Sequence, residues 1–143
     1  MALPKLNTTP YYDVIIPSTG EKTRFRPYLV KEEKILLMAS ETADNQEIAG
    51  AMLNIVCECV EGVNRNKLTT FDMEYLFLQL RSKAVGETAT MLATCQNGEC
   101  FEQNEVKVEI GKVEVNMPKD KNNIITLSDD MTIELKYPTY NNM

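Results

Sequence analysis

The chain has 143 residues, enough for one ordinary domain that buries roughly two-thirds of its unfolded surface without a disulfide or metal to hold it. Asp and Glu outnumber Lys and Arg by 21 to 15, a formal charge of -6 that repels phosphate backbones; the densest basic runs, Lys22-Thr23-Arg24-Phe25-Arg26 and Lys119-Asp120-Lys121, are too short for a nucleic-acid footprint. No stretch approaches the roughly 20 apolar residues of a membrane span, Met1-Ala2-Leu3-Pro4-Lys5-Leu6 lacks the apolar core of a signal peptide, and the four cysteines are expected to be free thiols in a reducing cytosol.

Tyr11-Tyr12-Asp13-Val14-Ile15-Ile16 and the run from Glu21 to Tyr28 are β-rich and flank the turn cluster Pro17-Ser18-Thr19-Gly20, which predicts a hairpin. Thr23, Phe25 and Pro27 alternate with Arg24, Arg26 and Tyr28, so one face is expected to pack while the arginines face water or a partner. Lys31-Glu32-Glu33-Lys34 leads into Ile35-Leu36-Leu37-Met38-Ala39, strong helix formers with acids in the first turn, and the helix is expected to run to about Glu41. A second helix opens at Asp44, an N-cap with Glu47 three residues on, as in a capping box with Asp in the usual Ser/Thr place. Ile48, Met52, Ile55, Val56, Cys59 and Val60 then fall on one face, and Gly62 is the expected stop.

After a polar loop from Val63 to Leu68, a third helix is expected behind a cap at Thr69 or Thr70, with Asp72 and Glu74 in its first turn. Phe71, Met73, Tyr75, Leu76, Phe77, Leu78 and Leu80 leave it almost no polar side. It is therefore the expected core helix, with Leu76 or Phe77 in the main core. Arg81 and Lys83 suit its C-terminal dipole, and Gly86 ends it. Beyond Gly86 the apolar period becomes two: Val106, Val108, Ile110; Val113, Val115, Met117; Met131, Ile133, Leu135, Tyr137. These runs read as half-buried strands separated by Gln96-Asn97-Gly98-Glu99 and Ser128-Asp129-Asp130. The expected fold is α+β: an N-terminal β-hairpin, a three-helix core and a C-terminal antiparallel β-meander. One domain over residues 1–143 is expected, with Gly86 as the seam if a hairpin-plus-helix part (1–86) and a β-rich part (87–143) divide.

The sharpest chemical motif is Cys95-Gln96-Asn97-Gly98-Glu99-Cys100, where two thiolates across a turn could supply half of a zinc ribbon. A structural site needs four ligands. Cys57 and Cys59 diverge by roughly 200° on a helix and cannot close on one ion, and the chain has no histidine. A shared site between subunits, or ligation by a carboxylate such as Glu99, would be required, so free thiols at Cys95 and Cys100 are the plainer expectation. Cys59 reads as a small core residue. Without histidine there is no Ser-His or Cys-His pair, and no glycine-rich phosphate loop precedes a helix. The adjacent acids Glu32-Glu33 and Asp129-Asp130 read as solvated charges. The residues thus offer no active site, no cofactor site and no small-molecule substrate site. The eight methionines mostly suit a core, although Met-rich surfaces also suit a protein that docks onto others.

Four segments together carry a resemblance. They are Leu3-Pro4-Lys5-Leu6; Ile16-Pro17-Ser18-Thr19-Gly20-Glu21-Lys22; Phe25-Arg26-Pro27-Tyr28-Leu29-Val30-Lys31-Glu32-Glu33-Lys34; and Phe71-Asp72-Met73-Glu74-Tyr75-Leu76-Phe77-Leu78-Gln79-Leu80-Arg81-Ser82-Lys83-Ala84-Val85-Gly86-Glu87. This pattern, a strand, an Arg-Pro corner, a charged helix start and a core helix, resembles the baseplate hub and hub assembly proteins of T-even-type contractile-tailed bacteriophages. The likeness covers most of the first ninety residues and is looser in the C-terminal part. It implies a late phage protein that helps build the central hub without catalysis, in the host cytoplasm during assembly, with retention in the virion tail baseplate left open. Partners would be other baseplate hub or tape-measure proteins, with no nucleic acid and no membrane. Within that resemblance, Arg24, Arg26, Tyr28, Lys31 and Glu32 are the expected contact residues, because they cluster between a hairpin and a helix start; a solvated edge is the plainer alternative. Two other classes stay open: a transient tail assembly chaperone for the tape-measure protein, absent from the virion, and a zinc-ribbon-like interaction module.

Overall fold

In the computed structural model, residues 9–98, 100–117 and 123–140 are described. Strands β1 (Tyr12–Ile15) and β2 (Lys22–Phe25) pair antiparallel, with Tyr12 opposite Phe25 and Val14 opposite Thr23. Their turn closes through the Gly20 and Ile16 amides, which donate to Ile16 O at 2.8 Å and Glu21 O at 2.9 Å. Gly20 has φ of 70°, a left-handed conformation that glycine adopts without the Cβ clash other residues meet.

Helix α1 covers Val30–Glu41, α2 Asn45–Cys59 and α3 Thr70–Ala84. Asp44 and Thr69 cap α2 and α3 as expected, but the capping box expected between Asp44 and Glu47 is not formed. Asp44 Oδ1 accepts from Gln46 N at 2.8 Å, and Thr69 with Asp72 forms a reciprocal capping box. Asp72 does more than cap. Fully buried, it also accepts from Ser18 N at 2.9 Å, so one carboxylate ties the hairpin turn to the start of α3.

The core lies where the hairpin, α2 and α3 meet, and contains Val14, Phe25, Tyr28, Leu53, Ile55, Val56, Val60, Met73, Leu76 and Leu80. Strand β2 is extended by the backbone after α2: Phe25 bridges Val60, Arg26 N donates to Cys59 O at 3.0 Å, and Glu61 N donates to Arg24 O at 2.9 Å. Leu53 and Ala51 are buried although they lie off the predicted stripe, while Ile48 and Met52 are only half-buried. The reason is that α2 packs on both α1 and α3 and meets β2 at its end, so its buried arc is wider than one neighbour would require. On α3, Leu76 is the core residue and Phe77 is half-buried, stacked against Tyr28 at 6.3 Å between ring centroids.

The C-terminal part is antiparallel, but among the described residues it forms two separate hairpins: β3 (Thr88–Thr94) with β4 (Gln103–Glu109), and β5 (Ile124–Ser128) with β6 (Met131–Glu134). Val113 to Met117, expected as a strand, is not one. Ile110 N donates to Glu87 O at 2.7 Å and the Ile110 side chain is buried beside α3, so the chain tightens into a 3-10 turn at Ile110–Lys112 and leaves the ladder there. Residues 137–140 return to the helices. Thr139 bridges Thr69, Thr70 N donates to Pro138 O at 3.3 Å, Tyr137 meets Phe71 edge-on at 5.1 Å, and the Tyr140 hydroxyl donates to Gln46 O at 3.0 Å.

Candidate interaction surface

The five residues around the Arg-Pro corner separate into two groups. Pro27 has no N–H to continue a ladder, and the strand ends at Phe25; the side chains beyond it no longer keep the two-residue period. Arg26, expected to face out beside Arg24, instead turns inward and is 17% exposed. Its Nη2 donates to Glu32 Oε1 at 3.0 Å and its Nη1 to Pro27 O at 3.2 Å. Glu32, a first-turn residue of α1, is only 1% exposed and accepts from Leu29 N at 2.6 Å, which fills one orphan donor at the helix start. Burial raises its carboxyl, but the hydrogen bonds from Arg26, Leu29 N and Lys31 outweigh it and hold the group below the usual carboxylate range. The same ion pair more than offsets the loss of solvent at Arg26, so its guanidinium is held above its ordinary value.

Tyr28 is buried, and loss of solvent, helped by Glu33, raises its phenol. Arg24 and Lys31 remain outside. Arg24 makes a forked contact to Glu61 Oε2 at 3.0 and 3.2 Å and lies over the Tyr11 ring at 5.7 Å. Lys31 reaches Glu32 Oε1 at 3.2 Å with most of its length in water. Beside Arg24 a shallow cavity of about 460 Å³ is lined by Asp13, Lys22, Thr23, Glu61 and Gly62. The corner therefore presents cations on a frame fastened by a buried ion pair.

The four cysteines are free thiols: Cys59 buried, Cys57 and Cys95 half-buried, Cys100 exposed. Cys95 N donates to Glu102 O at 2.9 Å and Cys100 N to Asn97 O at 3.0 Å, so the turn is closed by backbone bonds. Glu99, the carboxylate weighed as a third ligand, lies outside the described residues. Among the described residues no three Cys, Asp or Glu side chains gather as metal ligands would.

Alternation in the C-terminal part suggested half-burial; Val108, Val113, Val115 and Met117 are half-buried and Ile110 is buried, but the apolar side chains of the second hairpin stay in solvent. In β5 and β6, Ile125 faces Ile133 in register, and with Leu127, Met131 and, just past β6, Leu135, each is 43 to 58% exposed. Met91 and Val106 are likewise a register pair in β3 and β4, both exposed. On α1, Val30, Leu37 and Met38 are 60 to 80% exposed. Clustered exposed apolar side chains of this kind mark contact with another molecule. Nothing in the alternation could have found it, because a strand with one covered face and a strand awaiting a cover have the same sequence pattern.

Comparison with curated proteins and with solved structures found no match. A match does exist at the level of families, to the one described as T4 bacteriophage base plate protein, over residues 9–143. The open apolar faces and this match together define a phage tail baseplate component. The chain belongs to the T4 bacteriophage base plate protein family.

Proposed function

We propose that this protein helps to build the central hub of the phage baseplate as a non-catalytic docking module, binding another hub or tape-measure protein. The observation that carries the reading is the apolar surface left open on the β5–β6 hairpin of a baseplate-family chain. Arg24 and Lys31 are the charged contacts of this reading. Arg26, Tyr28 and Glu32 act behind them by shaping the corner, since Arg26 and Glu32 bond to each other and Tyr28 is buried in the core. In an acidic chain these cations are a local exception suited to a partner carboxylate.

The test is complementation of a phage lacking the gene with Arg24→Glu/Lys31→Glu, checked for a normal thermal melt. Normal melting without tails supports docking at the corner; normal melting with full infectivity refutes it. The second reading, a transient chaperone for the tape-measure protein, draws on the exposed methionines Met38, Met91 and Met131, whose pliable side chains suit a changing partner. Mass spectrometry of purified virions separates the two, since a chaperone is absent and a hub subunit is present.

A further inference from the structure

Helix α1 buries only one side of itself. Glu32 is buried and Leu36 and Ala39 are half-buried, whereas Leu37 and Met38 on the far side are each 60% exposed. Lys34, Leu37, Met38 and Glu41 fall at i, i+3, i+4 and i+7, which is one stripe along an α-helix. Lys34 and Glu41 are exposed at its two ends, and neither has an ion-pair partner among the described residues.

The order cation, apolar, apolar, anion has a consequence for what can cover the stripe. Read in reverse it becomes anion, apolar, apolar, cation, so the stripe is complementary to an antiparallel copy of itself at every position. A parallel copy would instead set Lys34 against Lys34. Isologous pairing about a two-fold axis is also the commonest way a protein meets itself.

We propose that α1 is a self-association site at which two copies of this chain pair antiparallel. The two-fold axis passes between Leu37 and Met38, so that Leu37 of one copy packs on Met38 of the other. Lys34 of each copy then lies against Glu41 of the other, and the two ionic pairs flank an apolar centre of four side chains. Two helices of 12 residues bury less than the roughly 1,200 Å² of a standard interface, so the dimer is weak and concentration-dependent. This pairing stands apart from the hub reading: a strictly monomeric protein would overturn it and leave the docking corner untouched.

Sedimentation velocity of the full chain across a wide concentration range tests it. The wild type is expected to move from monomer toward dimer as concentration rises. Leu37→Lys, an outward substitution that leaves the thermal melt intact, should stay monomeric throughout. Lys34→Glu places like charges at both ends and should weaken the dimer about tenfold, and Lys34→Glu/Glu41→Lys should bring it back to within about threefold of wild type. A wild type that stays monomeric at its highest soluble concentration, or a folded double variant no tighter than Lys34→Glu, overturns the proposal. Should the double variant fail to fold, salt titration of the wild type decides in its place. Weakening with added salt is expected of ionic flanks, and salt-independence overturns them.

Discussion

Glu32→Ala removes the acceptor on which the corner between hairpin and α1 depends. The wild-type carboxylate is 1% exposed and takes Arg26 Nη2 at 3.0 Å, Lys31 Nζ at 3.2 Å and Leu29 N at 2.6 Å. Cutting one member of a buried ion pair typically costs about 3 to 5 kcal/mol, mostly through the stranded partner. Arg26 keeps 17% exposure and can recover some water, which places the expected loss at the lower end, about 3 kcal/mol. At roughly 3 to 4 °C per kcal/mol for a chain of this length, the melting temperature should fall by about 10 °C. Arg24→Ala cuts an ion pair whose two side chains are 61% and 48% exposed and should cost only about 0 to 1 kcal/mol. Parallel thermal and urea melts followed by circular dichroism compare the two. Indistinguishable melts would refute the division of the corner into buried frame and exposed contacts. Acid supplies a second arm. A carboxyl held below its unfolded value lends stability above that unfolded value and loses it as pH falls through the folded one. The wild-type margin over Glu32→Gln should therefore shrink below the ordinary glutamate range, and a margin constant into strong acid would contradict the assignment.

Leu76→Ala should cost about 2 to 5 kcal/mol through a cavity in the core and Phe77→Ala less, because Phe77 is only half-buried; equal melts for both variants and wild type would make α3 a docking surface instead of a core helix. Native thiol labelling should modify Cys100 first and Cys59 last, since burial pushes the Cys59 thiol up to about 11 despite the neighbouring Arg26; rapid labelling of Cys59 in folded protein would contradict its packing. Purified monomer should carry no stoichiometric zinc by elemental analysis, and one zinc per chain lost in Cys95→Ser/Cys100→Ser would promote the zinc-ribbon alternative.

Much of the fold was legible because it is written in short-range chemistry. The N-caps Asp44 and Thr69, the Pro17-Ser18-Thr19-Gly20 turn and the helical runs depend on residues a few positions apart, and each formed as its local rules require. Strand β3 carried a weaker signal, since Thr88–Thr94 mixes threonine and alanine with two large apolar residues, and it is defined by pairing with β4. The candidate contact residues were named together, but their roles were not legible. Arg24 and Arg26 are the same residue type two positions apart, and only the approach of α1 turns one into a buried partner of Glu32.

The local sequence pattern by itself determined that the chain is α+β and where its three helices run, but not all of the core, since Leu53 and Ala51 are buried off the stripe read from the sequence. The tertiary structure alone decided burial. A stripe of apolar side chains states that a face seeks a cover, but whether the chain supplies one depends on contacts between distant segments. Val14 and Phe25 found theirs in α2 and α3, whereas Ile125, Ile133, Leu37 and Met38 did not, and for that physical reason they stay exposed.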